Sequence, residues 1–169
     1  MSAVTTMAII GLGGNLGRPE QTIADALGRL RASNGVLAVR ASRLYRTLPV
    51  QASGPDFCNA VARIDTTLTA LQLLDLLLAI EKEFGRERSV WHAPRTLDLD
   101  LIAMDATRIV SSQLVVPHPR AHERAFVLIP LCEIDTDVLL GPPEAEQLKT
   151  AGQWAARLPT AARAEVSLW

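Results

Sequence analysis

The chain has 169 residues, 49% of them apolar and 21% charged, with a net charge of −1. That length matches one domain of roughly 100–200 residues, able to bury about 70% of its unfolded surface. The composition excludes a disordered tail, and the charge balance excludes a general nucleic-acid binder that depends on a basic surface. The longest apolar stretch, Leu71 to Ile80, is interrupted by Gln72 and Asp75 and is too short to cross a bilayer. No basic residue precedes the apolar run of MSAVTTMAII, so no signal peptide is expected. The reading is one soluble, cytoplasmic domain over residues 1–169, a monomer with no membrane or nucleic-acid partner, whose Cys58 and Cys132 are reduced thiols. Among 17 basic residues only Lys82 and Lys149 are lysines, so an anion site here is built mainly from guanidinium forks.

Met7 to Leu12 is an apolar run ending in glycines and predicts a first strand, with GLGGNLG as a tight turn after it. Helical spacing of Ile23, Ala26, Leu27 and Leu30 predicts a helix over Gln21–Leu30, with Pro19 just ahead of it. Val36–Tyr45 reads as one strand and Asn59–Asp65 as another, with a Pro/Gly loop between them. Thr69–Phe84 is the clearest helix: Leu73, Leu74, Leu77, Ile80 and Phe84 form one stripe, and Gly85 stands where a helix stops. A polar, arginine-bearing loop over Gly85–Arg95 leads into a strand at Thr96–Met104. Val115–Pro117 is extended, Glu123–Ile134 and Glu144–Leu158 are helical, and Ala164–Leu168 closes as a strand. Two strand-helix-strand units give an α+β sandwich, and the short link between the middle strands favours a largely antiparallel sheet.

Asp98-Leu99-Asp100 places two carboxylates on one face of a strand whose neighbours are apolar. Such a pair either binds a hard divalent cation together with substrate phosphates, or faces water and pairs with arginines. Arg86, Arg88 and Arg95 in the preceding loop favour the first reading, because phosphoryl transfer requires cationic groups around the moving phosphate. The glycine run does not follow GxGxxG, and GxxxxGK[ST] is absent. His118 and His122 have an i, i+4 spacing, but Pro119 and the missing HExxH argue against zinc. Phosphate contact by His118, or by Arg120 and Arg124 from one helical face, fits better. Phe57 and Phe126 are either core or a stacking surface for a flat ligand.

Taken in order, GLGGNLG, LYRTLPV (Leu44–Val50), GPDFCNAV (Gly54–Val61), EKEFGR (Glu81–Arg86), APRTLDLDLI (Ala93–Ile102) and VVPHPRAHERAFVLIPL (Val115–Leu131) strongly resemble the 6-hydroxymethyl-7,8-dihydropterin pyrophosphokinase family of folate biosynthesis. The resemblance spans about Ile9 to Ile134 and implies a ferredoxin-like α+β sandwich. It implies diphosphate transfer from ATP to 6-hydroxymethyl-7,8-dihydropterin, leaving AMP, with two Mg²⁺ ions. Asp98 and Asp100 match the family's metal-binding and catalytic aspartates, and Arg86 and Arg95 its catalytic loop arginines. Asn59 matches the residue that hydrogen-bonds the pterin, Phe57 and Phe126 the aromatic pair around it, and Thr47, Leu48 and Val50 the segment offering it backbone groups. Glu81, Arg95, His118 and Arg124 match positions at the nucleotide. The family's Trp-Gly-Pro-Arg is replaced here by Val90-Trp91-His92-Ala93-Pro94-Arg95, and Leu48 stands where a second proline is frequent.

Two other classes share parts of this pattern. A DxD also serves glycosyltransferases that use nucleotide sugars, although 169 residues leave no separate acceptor domain. A non-catalytic ferredoxin-like ligand-binding module accounts for an aromatic slot but gives no reason for carboxylates beside loop arginines.

Overall fold

A computed structural model describes residues 3–49, 54–85 and 96–169. In chain order these form β1 (Thr6–Gly14), α1 (Pro19–Arg31), β2 (Val36–Ala41), β3 (Tyr45–Thr47), β4 (Phe57–Thr66), α2 (Ala70–Glu83) and β5 (Asp98–Met104). Two short strands follow, β6 (Ile109–Val110) and β7 (Val115–Val116), then a 3₁₀ turn at Ala121–Glu123 and α3 (Ala125–Ile134). The remaining elements are β8 (Leu139–Leu140), β9 (Lys149–Thr150), α4 (Ala151–Ala156), α5 (Thr160–Ala164) and β10 (Val166–Leu168).

The main sheet runs β10-β3-β4-β1-β5, with β2 pairing β4 beside β3, and every pairing is antiparallel. If β2 and β3 are taken as one interrupted strand, this is the order of a ferredoxin-like sandwich, as expected. The central strand β1 carries Ile9 and Ile10 on opposite faces, both fully buried, so helices cover the sheet on both sides. On one side α1 and α2 pack Ile23, Leu30, Leu73, Leu77 and Ile80 against Ala8, Ile10, Ala62 and Ile64. On the other, α3 packs Val127, Leu128 and Leu131 against Ile9, Val61 and Ile102. Each fully buried Leu or Ile contributes about 1.5–3 kcal/mol by leaving water.

The helices begin and end where local chemistry directs. Pro19 occupies the first turn of α1, where its missing N–H costs nothing. Thr69 caps α2 by accepting from the Gln72 N–H, while the Gln72 side chain accepts from the Thr69 N–H. Gly85 follows α2 with φ +81°, a conformation that stops helices. Pro130 lies inside α3 and is buried in the core.

Four expectations need correction. GLGGNLG is not a turn after β1: the strand continues to Gly14, held by β4 and β5 on both sides, and the chain turns only near Gly17, at φ +63°. The strand expected over Val36–Tyr45 is split because the Ser42 hydroxyl accepts the Val61 N–H at 3.0 Å, inserting a side chain where the ladder would continue. The helix expected from Glu123 starts at Ala125, after the 3₁₀ turn, so Arg120 and Arg124 share no helical face; Arg120 instead pairs with Glu123 at 2.7 Å. The helix expected over Glu144–Leu158 shrinks to α4, because Lys149 and Thr150 pair with β8 and Thr150 caps the helix with Gln153. Among the described residues, no helix is long and apolar enough to cross a membrane. Burial pushes the Cys58 thiol up to about 11, so it stays protonated.

Candidate active site

The α3 face of the sheet is not covered along its whole length. Beyond the first turn of α3, a cleft opens over β4, β1 and β5, lined by Gly11, Gly13, Asn59, Asp98, Asp100 and Phe126 among others. Strand register sets its layout. Asn59 is opposite Gly13, which is opposite Asp98; Val61 is opposite Gly11, which is opposite Asp100. Directly opposed residues in antiparallel strands share a face. Asn59 and Asp98 therefore stand on strands roughly 10 Å apart, two strand spacings, with only glycine between them.

The glycines make this slot possible. A Cβ on Gly13 would lie 2.8 Å from the Asn59 Oδ1, and a Cβ on Gly11 3.3 Å from the Ile102 Cδ1. Gly11 and Gly13 line the cleft, and the expectation of a turn here left them out of the candidate site. The available signal was glycine at alternate positions of a buried strand, which marks close approach by a ligand or another group.

Asn59 is buried and its Nδ2 donates to the Thr47 Oγ1 at 2.8 Å, which fixes the plane of the carboxamide. Thr47, itself buried, thus acts behind Asn59, and Leu48 follows it at the surface. Phe126 sits on the first turn of α3 with the Arg124 guanidinium 5.6 Å from its ring centre. Phe57 lies two residues before Asn59 on β4, on the same face but outside the lining of the cleft.

Arg124 supplies positive charge to the site, and His118 an imidazole. Burial lowers the Arg124 pKa, against the upward pull of Asp100 and, more weakly, Glu123 and Asp98; the guanidinium remains charged and feels the field of both aspartates. Burial also pushes the His118 imidazole down to about 4; Arg124 and Arg120 add to this and Asp98 opposes it. His118 is therefore neutral near pH 7. Its Nδ1 accepts the Arg120 N–H at 3.1 Å, which leaves the ring hydrogen on Nε2. Its own backbone N–H donates to the Ile102 carbonyl at 2.8 Å, tying this segment to β5.

Glu81 is 1% exposed, and its Oε1 accepts the Leu99 N–H at 2.7 Å, between the two aspartates. A buried carboxylate on a backbone amide holds the strand that carries Asp98 and Asp100. His122 packs its ring against Trp154, with ring centres 4.7 Å apart and planes tilted by 53°. Among the described residues no group of three or more His, Cys, Asp or Glu is arranged to hold a metal ion. Val50, Arg86, Arg88, Trp91, His92 and Arg95 lie outside the described residues.

Residues 9–136 match the family model for 7,8-dihydro-6-hydroxymethylpterin-pyrophosphokinase (HPPK). The chain is 41% identical over 137 residues to the 2-amino-4-hydroxy-6-hydroxymethyldihydropteridine pyrophosphokinase of Methylorubrum extorquens, covering 80% of this chain and 87% of that protein. It is 40% identical over 132 residues to the enzyme of the same name from Bacillus subtilis, covering 78% and 79%. Among solved structures, the fold is similar to Plasmodium falciparum HPPK-DHPS with pterin and p-hydroxybenzoate, with a TM-score of 0.72 at 12% identity, covering 99% of this chain. This chain spans 47% of that longer one.

Proposed function

The chain belongs to the 7,8-dihydro-6-hydroxymethylpterin-pyrophosphokinase family, the pyrophosphokinases of folate biosynthesis, and from that premise we propose that it transfers diphosphate from ATP to 6-hydroxymethyl-7,8-dihydropterin, releasing AMP. The observation that carries this reading is the row Asn59–Gly13–Asp98: a fixed carboxamide and a carboxylate face each other across a side-chain-free floor, with Phe126 above. A flat heterocycle with a hydroxymethyl arm fits that layout. The ring meets the amide and the aromatic surface, and the arm is directed toward the aspartates.

In this reading the hydroxymethyl oxygen attacks the β-phosphorus of ATP. The bond from that phosphorus to the α,β-bridging oxygen breaks, AMP leaves, and the hydroxyl proton is lost. Little covalent work falls to the protein, so catalysis is positioning and charge stabilisation. Asn59, held by Thr47, orients the pterin; Phe126 and Phe57 provide its aromatic surroundings, and the backbone at Thr47, Leu48 and Val50 further contacts. Arg124 and neutral His118 meet the nucleotide, and Arg86 and Arg95 take up charge on the moving group. Glu81 meets the nucleotide side of the site as the resemblance implies, and also holds β5 through the Leu99 N–H.

Asp98 and Asp100 suit Mg²⁺, since hard oxygen donors from one or two carboxylates complete its shell with water and phosphate oxygens. Two ions held between these carboxylates and the ATP phosphates would neutralise phosphate charge. The protein acts as a cytoplasmic monomer in this reading, which light scattering of the purified chain tests.

ATP labelled at the β-phosphorus tests the reaction. With Mg²⁺ and the pterin, the label is expected in a pterin diphosphate alongside unlabelled AMP. Release of ADP, or label retained in nucleotide, would overturn the proposal.

A further inference from the structure

We propose that β10 and Trp169 are a positioning device for pterin recognition, acting through β3. This rests on the assignment of Thr47 and Asn59 to the pterin made above. β10 lies beyond residues 9–136, the part of the chain that matches the family model.

β3 has three residues and pairs with β4 through Tyr45–Asn59, Arg46–Cys58 and Thr47–Phe57. A strand this short, paired on one side alone, holds its register weakly. β10 supplies the second side: Val166 is opposite Thr47, Ser167 opposite Arg46 and Leu168 opposite Tyr45. The Trp169 N–H then donates to the Leu44 carbonyl at 3.0 Å, extending the pairing past the end of β3.

Side chains fasten the same three strands. The Arg46 guanidinium lies 4.3 Å from the centre of the Trp169 ring and also meets the Asp56 Oδ2 at 3.3 Å. Asp56 immediately precedes Phe57, so Arg46 links β10 to the start of β4. Tyr45 donates its hydroxyl to Glu133 on α3, and the Arg43 N–H donates to the same carboxylate at 2.9 Å.

The consequence for recognition runs through one hydrogen bond. Thr47 accepts from the Asn59 Nδ2 and so determines which way the carboxamide presents its remaining donor and acceptor. A one-residue slip of β3 would turn Thr47 to the opposite face and release that amide. β10 therefore acts on pterin affinity without touching the pterin, and Arg124 and His118, on other elements, are outside its reach.

The test measures affinities for the pterin substrate and for a non-hydrolysable ATP analogue with Mg²⁺ in the full chain, in a variant lacking residues 166–169, and in Trp169→Ala and Trp169→Phe. Thermal melting and amide exchange at residues 45–47 are followed in parallel. The deletion is expected to weaken pterin affinity about tenfold or more while nucleotide affinity stays within about twofold. Trp169→Ala is expected to show a smaller loss in the same direction, restored by Trp169→Phe, which keeps a ring under Arg46. Faster exchange at 45–47 with unchanged pterin affinity overturns the proposal, as does a parallel loss of both affinities. If the deletion does not fold, the Trp169 pair decides alone. A full chain that binds no pterin overturns the functional reading and this proposal together, whereas a full chain that binds it and variants that bind equally overturn this proposal only.

Discussion

On the face covered by α1 and α2, the middle strands present Ala8, Ile10, Leu12, Cys58, Ala60, Ala62, Ile64, Leu99 and Leu101, all buried among helix side chains. On the opposite face the same strands present Gly11, Gly13, Asn59, Asp98 and Asp100, and α3 stops short of covering them. Adjacent residues of one strand thus serve two purposes, with Leu99 in the core between two aspartates in the cleft. The alternation of strand side chains allows a rigid, close-packed layer to support a polar site with nothing but the sheet between them. That support predicts separability: damage to one face should register in stability, and damage to the other in binding and turnover.

The largest separation is expected from Asp100→Ala, which should lower kcat at least about a thousandfold, equivalent to about 4 kcal/mol, with little change in melting temperature. On the opposite face Leu77→Ala should lower unfolding free energy by about 2–5 kcal/mol in urea titrations while leaving pterin affinity unchanged. Asn59→Ala should raise the pterin Kd by about 10–100-fold, since the Thr47 hydroxyl loses its partner and the heterocycle its amide. Gly13→Ala should cost about tenfold in pterin affinity, because the added methyl displaces the Asn59 oxygen. This replacement at the floor of the cleft would join the two classes if it also unfolded the protein.

The smallest effect concerns acid stability at the seam between α3 and β3. Burial pushes the Glu133 carboxyl up, but hydrogen bonds from Tyr45 and Arg43 outweigh it and hold the pKa below the ordinary carboxylate value. A depressed folded-state pKa contributes stability that is fully present above the unfolded value of about 4.3 and is lost as pH falls through the folded one. Urea midpoints near neutrality and near about pH 3 should therefore differ less in Glu133→Gln than in the parent. Equal differences in both would remove Glu133 from the acid response.

Helix α2 was legible because its signals agreed: one apolar stripe and a terminal glycine. The aspartate pair was legible because strand alternation alone puts residues 98 and 100 together, whatever the pairing. The glycine floor was not, because its meaning depends on Asn59 and Asp98 standing opposite Gly13, and register across three strands is not written in any one of them. The interruption at Ser42 was hidden for a similar reason: its hydroxyl bonds to Val61, 19 residues away. The bond from the Leu99 N–H to Glu81 was likewise hidden, because it depends on how α2 docks on β5.

The most direct measurement is a side-by-side assay of parent and Asp98→Asn/Asp100→Asn protein with ATP, Mg²⁺ and 6-hydroxymethyl-7,8-dihydropterin, quantifying AMP and pterin diphosphate while pterin binding is measured separately. The account predicts both products in equal amounts from the parent, none from the variant, and pterin binding retained in each. AMP and pterin diphosphate formed by the variant at the parental rate would contradict it.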